Sequence, residues 1–289
     1  MNEHATDAPT DGDWTTIICP KERLFELNIR EIIRYRDLLL LLVRRDFVSV
    51  YKQTVLGPLW FIIQPLITTF MYMFVFGNIA RMSTDNIPQP LFYFSGTMLW
   101  SFFSTNLTKS ADTFIANAGL FGKIYFPRFI IPISYIITNS FTLVIQATVF
   151  SAFYLYYTVS GHAVSVTTAI LFVPVFLCQL AALSVGCGII VSSLTTKYRD
   201  LKNLLNFGMQ LWMYATPIVY PLSMVPDKWR WAFVLNPVSP IIESFRFAVV
   251  GRGHIDGWQM IVSFGATLVI LFFGIILFNH NERTFIDII

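Results

Sequence analysis

No Asp, Glu, Lys or Arg occurs between Arg128 and Lys197. As one helix this interval would run roughly 100 Å at about 1.5 Å per residue. The hydrocarbon of a bilayer is about 30 Å thick and takes about 20 apolar residues per crossing. The interval must therefore fold back, and Ser160-Gly161-His162 is the expected turn. Gln53 to Ala80, Asn86 to Thr108, Asn203 to Pro226 and Gly257 to Asn281 are also free of charge, and each accommodates one further crossing. With 55% apolar and 13% charged residues, the chain is far from the roughly 25% charged norm of soluble domains. The expected fold is an all-α integral membrane protein with six transmembrane helices, at about 58–80, 89–113, 130–157, 165–194, 202–222 and 258–280.

An even number of spans puts both termini on one side. With the N-terminus inside, 15 of the 20 Lys and Arg residues fall on the inner side, leaving Arg81, Lys228, Arg230, Arg246 and Arg252 outside. Both termini are thus expected in the cytoplasm. The net charge of +3 reflects this flanking pattern rather than a nucleic-acid surface. Cys178 and Cys187 lie in the expected fourth span and Cys19 near the start, so neither a disulfide framework nor a CxxC metal site is available. The acidic start, with Glu3, Asp7, Asp11 and Asp13, lacks the basic and apolar regions of a cleaved signal peptide. The first span is the expected targeting signal.

Residues 1–20 form a polar tail. Over 21–56, Leu24, Ile29, Ile32, Ile33, Leu39, Val43, Phe47 and Val50 recur at helical spacing, with Arg30, Arg34, Asp37, Arg44 and Lys52 mostly elsewhere on the wheel. Two readings fit: an amphipathic helix lying on the membrane surface, and one packed on a protein partner. Gly57-Pro58 marks the turn into the membrane, because Pro suits a helix's first turn and disfavours helix just before it. Pro65, Pro174 and Pro217 lie inside expected spans and predict kinks. The segment 223–250 contains Trp229, Trp231 and Pro237, then an amphipathic stretch with Glu243 and Arg246. It reads either as two short helices re-entering the outer leaflet from outside or as an aromatic anchor facing lipid.

Catalytic motifs fail on inspection. Gly122-Lys123 is not a phosphate loop, because Asn117 and Ile124 stand where Gly and Ser or Thr are required. Asp11-Gly12-Asp13 lies in the polar tail, and His4, His162, His254 and His280 are scattered without ligand spacing. No metal or catalytic site is expected. The charge-free span interiors argue against a proton relay. Gln64, Asn106, Asn139, Gln146, Gln179 and Gln210 either line a path or hydrogen-bond between helices.

Two expected cytoplasmic loops mix aromatics with cations, which suits protein docking. One is Asn117 to Arg128; the other is Thr195 to Lys202. Together with Arg44-Arg45-Asp46-Phe47, the run Tyr51 to Trp60, Lys123-Ile124-Tyr125-Phe126-Pro127-Arg128, Tyr198-Arg199-Asp200-Leu201 and Leu235-Asn236-Pro237, they give the chain its likeness to a family. In order and spacing these segments resemble the permeases of ABC-2 type polysaccharide exporters, which export O-antigen, capsule and teichoic acid.

The resemblance implies a homodimer in the bacterial inner membrane, docked on two copies of a cytoplasmic ABC ATPase that binds the ATP and Mg. The chain itself would hold no cofactor, bind no nucleic acid and catalyse no reaction. Its substrate would be an undecaprenyl-linked polysaccharide. Lys123, Tyr125, Phe126, Arg128, Tyr198, Arg199 and Asp200 are then coupling residues to the ATPase, with Arg44, Arg45, Asp46, Tyr51 and Lys52 on the interface helix. Trp229, Trp231, Pro237, Glu243 and Arg246 belong to an extracytoplasmic gate. Aromatic faces can stack on sugar rings, which makes Trp60, Phe61, Tyr72, Trp212, Tyr214 and Tyr220 the channel candidates on spans one and five. The alternatives are an ABC-2 exporter of drugs or small lipids, and a polytopic glycosyl- or acyltransferase.

Overall fold

The computed structural model describes residues 29–52, 54–121, 126–161, 164–195, 200–253 and 256–286, and these are helical with connecting turns. The polar tail, most of the first docking loop and the start of the second lie outside the described residues, and with them Lys123, Tyr125, Tyr198 and Arg199.

A short α1 (Ile29–Arg34) leads into α2 (Arg36–Tyr51). Leu42 and Val43 of α2 are buried, whereas Ile33, Leu40 and Leu41 are exposed. Gly57 then takes a φ of +50°, a left-handed conformation that glycine adopts without a Cβ penalty, and Pro58 starts the next helix. The continuous helix Gly57–Ile79 begins with a 3-10 turn, contains α3 (Trp60–Tyr72) with Pro65 inside it, and ends in a π-helical stretch.

The centre of the bundle is α4 (Gln89–Ala111), most of whose side chains are buried. Two single turns, α5 (Thr113–Ala116) and α6 (Ala118–Phe121), precede α7 (Ile130–Val159). Gly161, at φ +79°, reverses the chain close to the expected turn. The next crossing is α8 (Val173–Thr195), with Pro174 in its first turn where no backbone bond is lost. The chain continues through α9 (Leu201–Tyr214), α10 (Asp227–Leu235), α11 (Val238–Val250) and α12 (Gly257–Ile286).

Among the described residues, four helices are long and apolar enough to cross a bilayer: Gly57–Ile79, Ile130–Val159, Thr168–Thr195 and Gly257–His280. The α10–α11 pair, bent by 97° at Asn236-Pro237, would make a fifth if counted as one broken span. The expected second span is a full-length helix, α4, that is absent from the apolar set. It is enclosed by protein and so can carry Ser, Thr and Asn at little cost. The expected fifth span is shorter than the charge gap suggested. Its helix stops at Tyr214, and Pro217 sits in a non-helical turn instead of a kink. Its 14 residues reach only about 21 Å.

Helix crossings are close where glycine permits. A Cβ on Gly188 of α8 would lie 2.5 Å from Ser110 Cβ and 2.7 Å from the Leu107 carbonyl on α4. One on Gly274 of α12 would lie 2.8 Å from the Gly186 carbonyl on α8. Without a hydrophobic force between helices in lipid, such backbone approach and interhelical hydrogen bonds hold a bundle together. Asn139 of α7 donates to Asn106 of α4 (2.7 Å), and Gln179 of α8 donates to Ser263 of α12 (2.8 Å). Ser263 in turn donates to the Pro237 carbonyl (2.6 Å), which ties the α10–α11 bend to the bundle.

Candidate functional site

Three helices each present a ridge with a four-residue repeat, and the ridges converge. Residues four apart on a helix stand above one another on one face. On α4 they are Thr97, Ser101, Thr105 and Lys109; on α7, Thr138, Thr142 and Gln146; on α3, Trp60, Gln64, Thr68 and Tyr72. Between them lies a cavity of about 470 Å³, which Phe61, Trp100 and Asn139 also line and which Met213 and Ile218 close at one end. From Thr97 to Lys109 the ridge extends about 18 Å along the α4 axis. Hydroxyls, amides and aromatic rings thus alternate along a groove in an otherwise apolar bundle.

Of the six aromatics named as channel candidates, Trp60, Phe61 and Tyr72 line this cavity. The three from the expected fifth span are elsewhere. Trp212 packs edge-on against Trp100 and Phe103. Tyr214 is exposed, and its carbonyl accepts a 2.6 Å hydrogen bond from the Tyr220 hydroxyl.

Lys109, one of the 15 Lys and Arg residues expected on the inner side, sits in the last turn of α4 and lines the cavity. Its Nζ donates to Asn139 Oδ1 at 3.3 Å and lies 5.8 Å from the centre of the Tyr135 ring.

Behind Ile218, outside the cavity lining, is the residue pair expected in the gate. Arg246 is 1% exposed. A guanidinium has five N–H donors, and here every one is used. Nε donates to Ser95 Oγ (3.3 Å), Nη1 to the Pro217 carbonyl (2.7 Å) and Glu243 Oε1 (3.2 Å), and Nη2 to the carbonyls of Phe92 (3.2 Å) and Ile218 (2.9 Å). Its plane also lies 3.8 Å from the centre of the Phe92 ring, a cation–π contact. Arg246 therefore pins α11 both to the start of α4 and to the non-helical turn that caps the cavity.

A second hub is Asn236, before Pro237. Its Oδ1 accepts from Trp212 Nε1 (3.0 Å) and from the Val238 N–H (3.1 Å), while its Nδ2 donates to Thr216 Oγ1 (2.9 Å) and the Ala215 carbonyl (3.2 Å). Trp229 and Trp231 on α10 are 56% and 62% exposed.

Two of the expected coupling residues in the first docking loop are inside rather than on the surface. Phe126 and Arg128 are 3% and 6% exposed. The Arg128 guanidinium lies 4.9 Å from the Phe121 ring centre, and Phe121 stacks on Phe126. Asp200 is exposed just before α9, whose start is fixed to the end of α4 by a 2.8 Å Lys202–Asp112 ion pair. Arg44 and Arg45 on α2 and Lys52 just after it are exposed, and Arg45 pairs with Asp46 at 2.8 Å. Tyr51 is the last residue of α2. Among the described residues no group of three His, Cys, Asp or Glu side chains is gathered that could hold a metal ion.

Comparison with known proteins agrees with this architecture. Residues 37–250 match the ABC-2 type transporter family. The chain is 29% identical over 253 residues to the O-antigen export system permease protein RfbA of Klebsiella pneumoniae, covering 88% of this chain and 95% of that protein. It is 26% identical over 263 residues to the protein of the same name from Myxococcus xanthus, covering 90% and 98%. It is also 26% identical over 230 residues to the polysialic acid transport protein KpsM of Escherichia coli, covering 79% and 87%.

Proposed function

The chain belongs to the ABC-2 type transporter family, and from that premise we propose that it is the membrane subunit of a polysaccharide exporter. It would carry an undecaprenyl-linked glycan, O-antigen being the best fit to its relatives, across the bacterial inner membrane on energy supplied by a separate ATPase. The observation that carries this reading is the cavity between α3, α4 and α7. Its mixture of ring faces, hydroxyls and amides suits a sugar polymer that must slide, because such a solute needs many weak contacts and no tight site.

In this reading the protein has six crossings, with α4 and the α9 region completing the four apolar ones. Both termini are cytoplasmic, α2 lies at the inner membrane surface, and the α10–α11 hairpin re-enters the outer leaflet as a gate that includes Trp229, Trp231, Pro237, Glu243 and Arg246. Two copies would face each other through the exposed residues of α3, such as Ile67 and Phe70, and of α9, such as Leu204 and Phe207. Lys123, Tyr125, Tyr198, Arg199 and Asp200 would meet the ATPase directly. Phe126 and Arg128 would brace the first loop from within.

Purification with native partners tests the proposal. A co-purifying ATPase whose turnover rises with polyprenyl-linked glycan and not with hydrophobic drugs is the expected result. Stimulation by drugs alone, or a stable and active single chain, would overturn it.

A further inference from the structure

We propose that Asp46 is a positioning residue through which α2 sets where the Lys109 ammonium stands in the cavity wall, so that movement of the surface helix reaches the glycan path. The inference rests on the export reading above and adds to it the residue that links the ATPase-facing side of the chain to the cavity.

Leu42 packs in one cluster with Phe126, Ile130, Ile131 and Tyr135, which lays α2 against the start of α7 and the end of the first docking loop. Asp46 stands one turn further along the same face of α2, and only 13% of its side chain is exposed. Its Oδ1 accepts from Arg45 Nε at 2.8 Å and pairs with Arg45 Nη2 at 2.8 Å. Its Oδ2 is buried and has no hydrogen-bond partner among the described residues. A buried acceptor left unsatisfied is costly, and more so when it is charged. Asp46 lies in Coulombic reach of two groups that can fill it, Lys109 and Tyr135. The Lys109 ammonium has three N–H donors, of which one is used, on Asn139 Oδ1 at a long 3.3 Å. The Tyr135 hydroxyl accepts from Asn117 Nδ2 at 3.1 Å, which leaves its own proton to donate.

These groups have two discrete arrangements. In the one observed, Lys109 stands on Asn139 and lines the cavity. In the other, an approach of α2 to α4 and α7 brings Asp46 Oδ2 to the ammonium, which withdraws from the cavity wall and leaves the Asn139 carbonyl facing the groove. The charge of Lys109 is compensated by Asp46 in both, so the exchange strands no ion. Asn117 extends the cluster to the first docking loop. Its Nδ2 bonds the Thr113 carbonyl (3.0 Å) as well as Tyr135, so a displacement of that loop acts on Tyr135 as a displacement of α2 acts on Asp46. Both elements that would meet the ATPase thus converge on one buried polar cluster whose other member is a cavity residue, and a contiguous element with two arrangements is what coupling between distant sites requires.

The test uses the full chain with its ATPase in phosphatidylcholine liposomes. A membrane-permeant carbodiimide joins a carboxylate to an amine only where the two touch, so an Asp46–Lys109 amide, found by mass spectrometry, reports the withdrawn arrangement in the unmutated protein. Its yield is expected to differ by roughly fivefold or more between the nucleotide-free and the vanadate-trapped complex, the low end of coupling between linked sites. An unchanged yield, or no such amide in either state, overturns the proposal. Asp46→Asn and Lys109→Gln should each lower glycan export per ATP hydrolysed by roughly fivefold, a ratio that loss of folded protein alone does not change. Asp46→Glu, which returns the carboxylate, should recover it. Combined, the two neutral substitutions should lose no more than the larger single loss, because each residue acts through the other; losses that multiply overturn the proposal. A nucleotide-dependent amide in a complex that exports no glycan would count against the export reading alone.

Discussion

Replacing Arg246 is the sharpest test of how the capped end of the cavity is held. Arg246→Met removes five hydrogen bonds and the cation over Phe92. The carbonyl of Phe92 keeps a bond from the Ser95 hydroxyl at 2.9 Å. Pro217 and Ile218 lose the donor that held theirs, and Glu243 is left as a largely buried carboxylate without its cation. Breaking a buried ion pair from one side costs roughly 3–5 kcal/mol, most of it from the stranded charge. Arg246→Lys keeps the charge but has three donors for five acceptors, so about two bonds are lost, at roughly 1–1.5 kcal/mol each. The expected order is therefore wild type, then Lys, then Met. Because the stranded carboxylate dominates the loss, adding Glu243→Gln to Arg246→Met should recover about 1–3 kcal/mol. Reversible unfolding in mixed micelles, followed by tryptophan fluorescence, measures all four proteins. An Arg246→Met protein within about 1 kcal/mol of wild type, or one that Glu243→Gln makes worse, would refute the argument, since either result means the buried pair is not what secures the turn.

Three further outcomes are expected. Gly188→Ala should destabilise the bundle by roughly 1–3 kcal/mol, because its Cβ would press on Ser110 and the Leu107 carbonyl; the same unfolding assay measures it, and a neutral effect would contradict the α4–α8 approach. Trp212→Phe keeps an aromatic ring against Phe103 but removes the donor to Asn236, so it should cost about 1 kcal/mol and make the α10–α11 bend more accessible to amide exchange, whereas unchanged exchange would dismiss the link. Replacing Lys123 and Tyr125 together should leave the complex assembled and hydrolysing ATP while export falls, checked by parallel ATPase and export measurements; unchanged export would remove these residues from coupling.

What could be read in advance follows from which physical signals are local. Charge gaps are local, and the expected spans at 58–80, 130–157, 165–194 and 258–280 coincide with the four apolar helices within a few residues at most ends. The gap from Asn203 to Pro226 misled because absence of charge does not supply helix, and Pro217 in a turn clamped by Arg246 ends the span early. Rotation about a helix axis is the harder quantity. Thr97, Ser101, Thr105 and Lys109 recur every four residues and could have located the cavity, but Ser95, Ser104 and Thr108 interrupt that stripe. Hydroxyls in apolar helices satisfy themselves locally, as Ser95 does on the Phe92 carbonyl and Thr108 on the Ser104 carbonyl, so their presence alone does not reveal which face is wet. A cation has no such local escape and must be met by its surroundings. Lys109, in the last turn of α4, lines the cavity, whereas Arg246 lies behind Ile218 at the Pro217 turn with all five donors satisfied, and so holds structure.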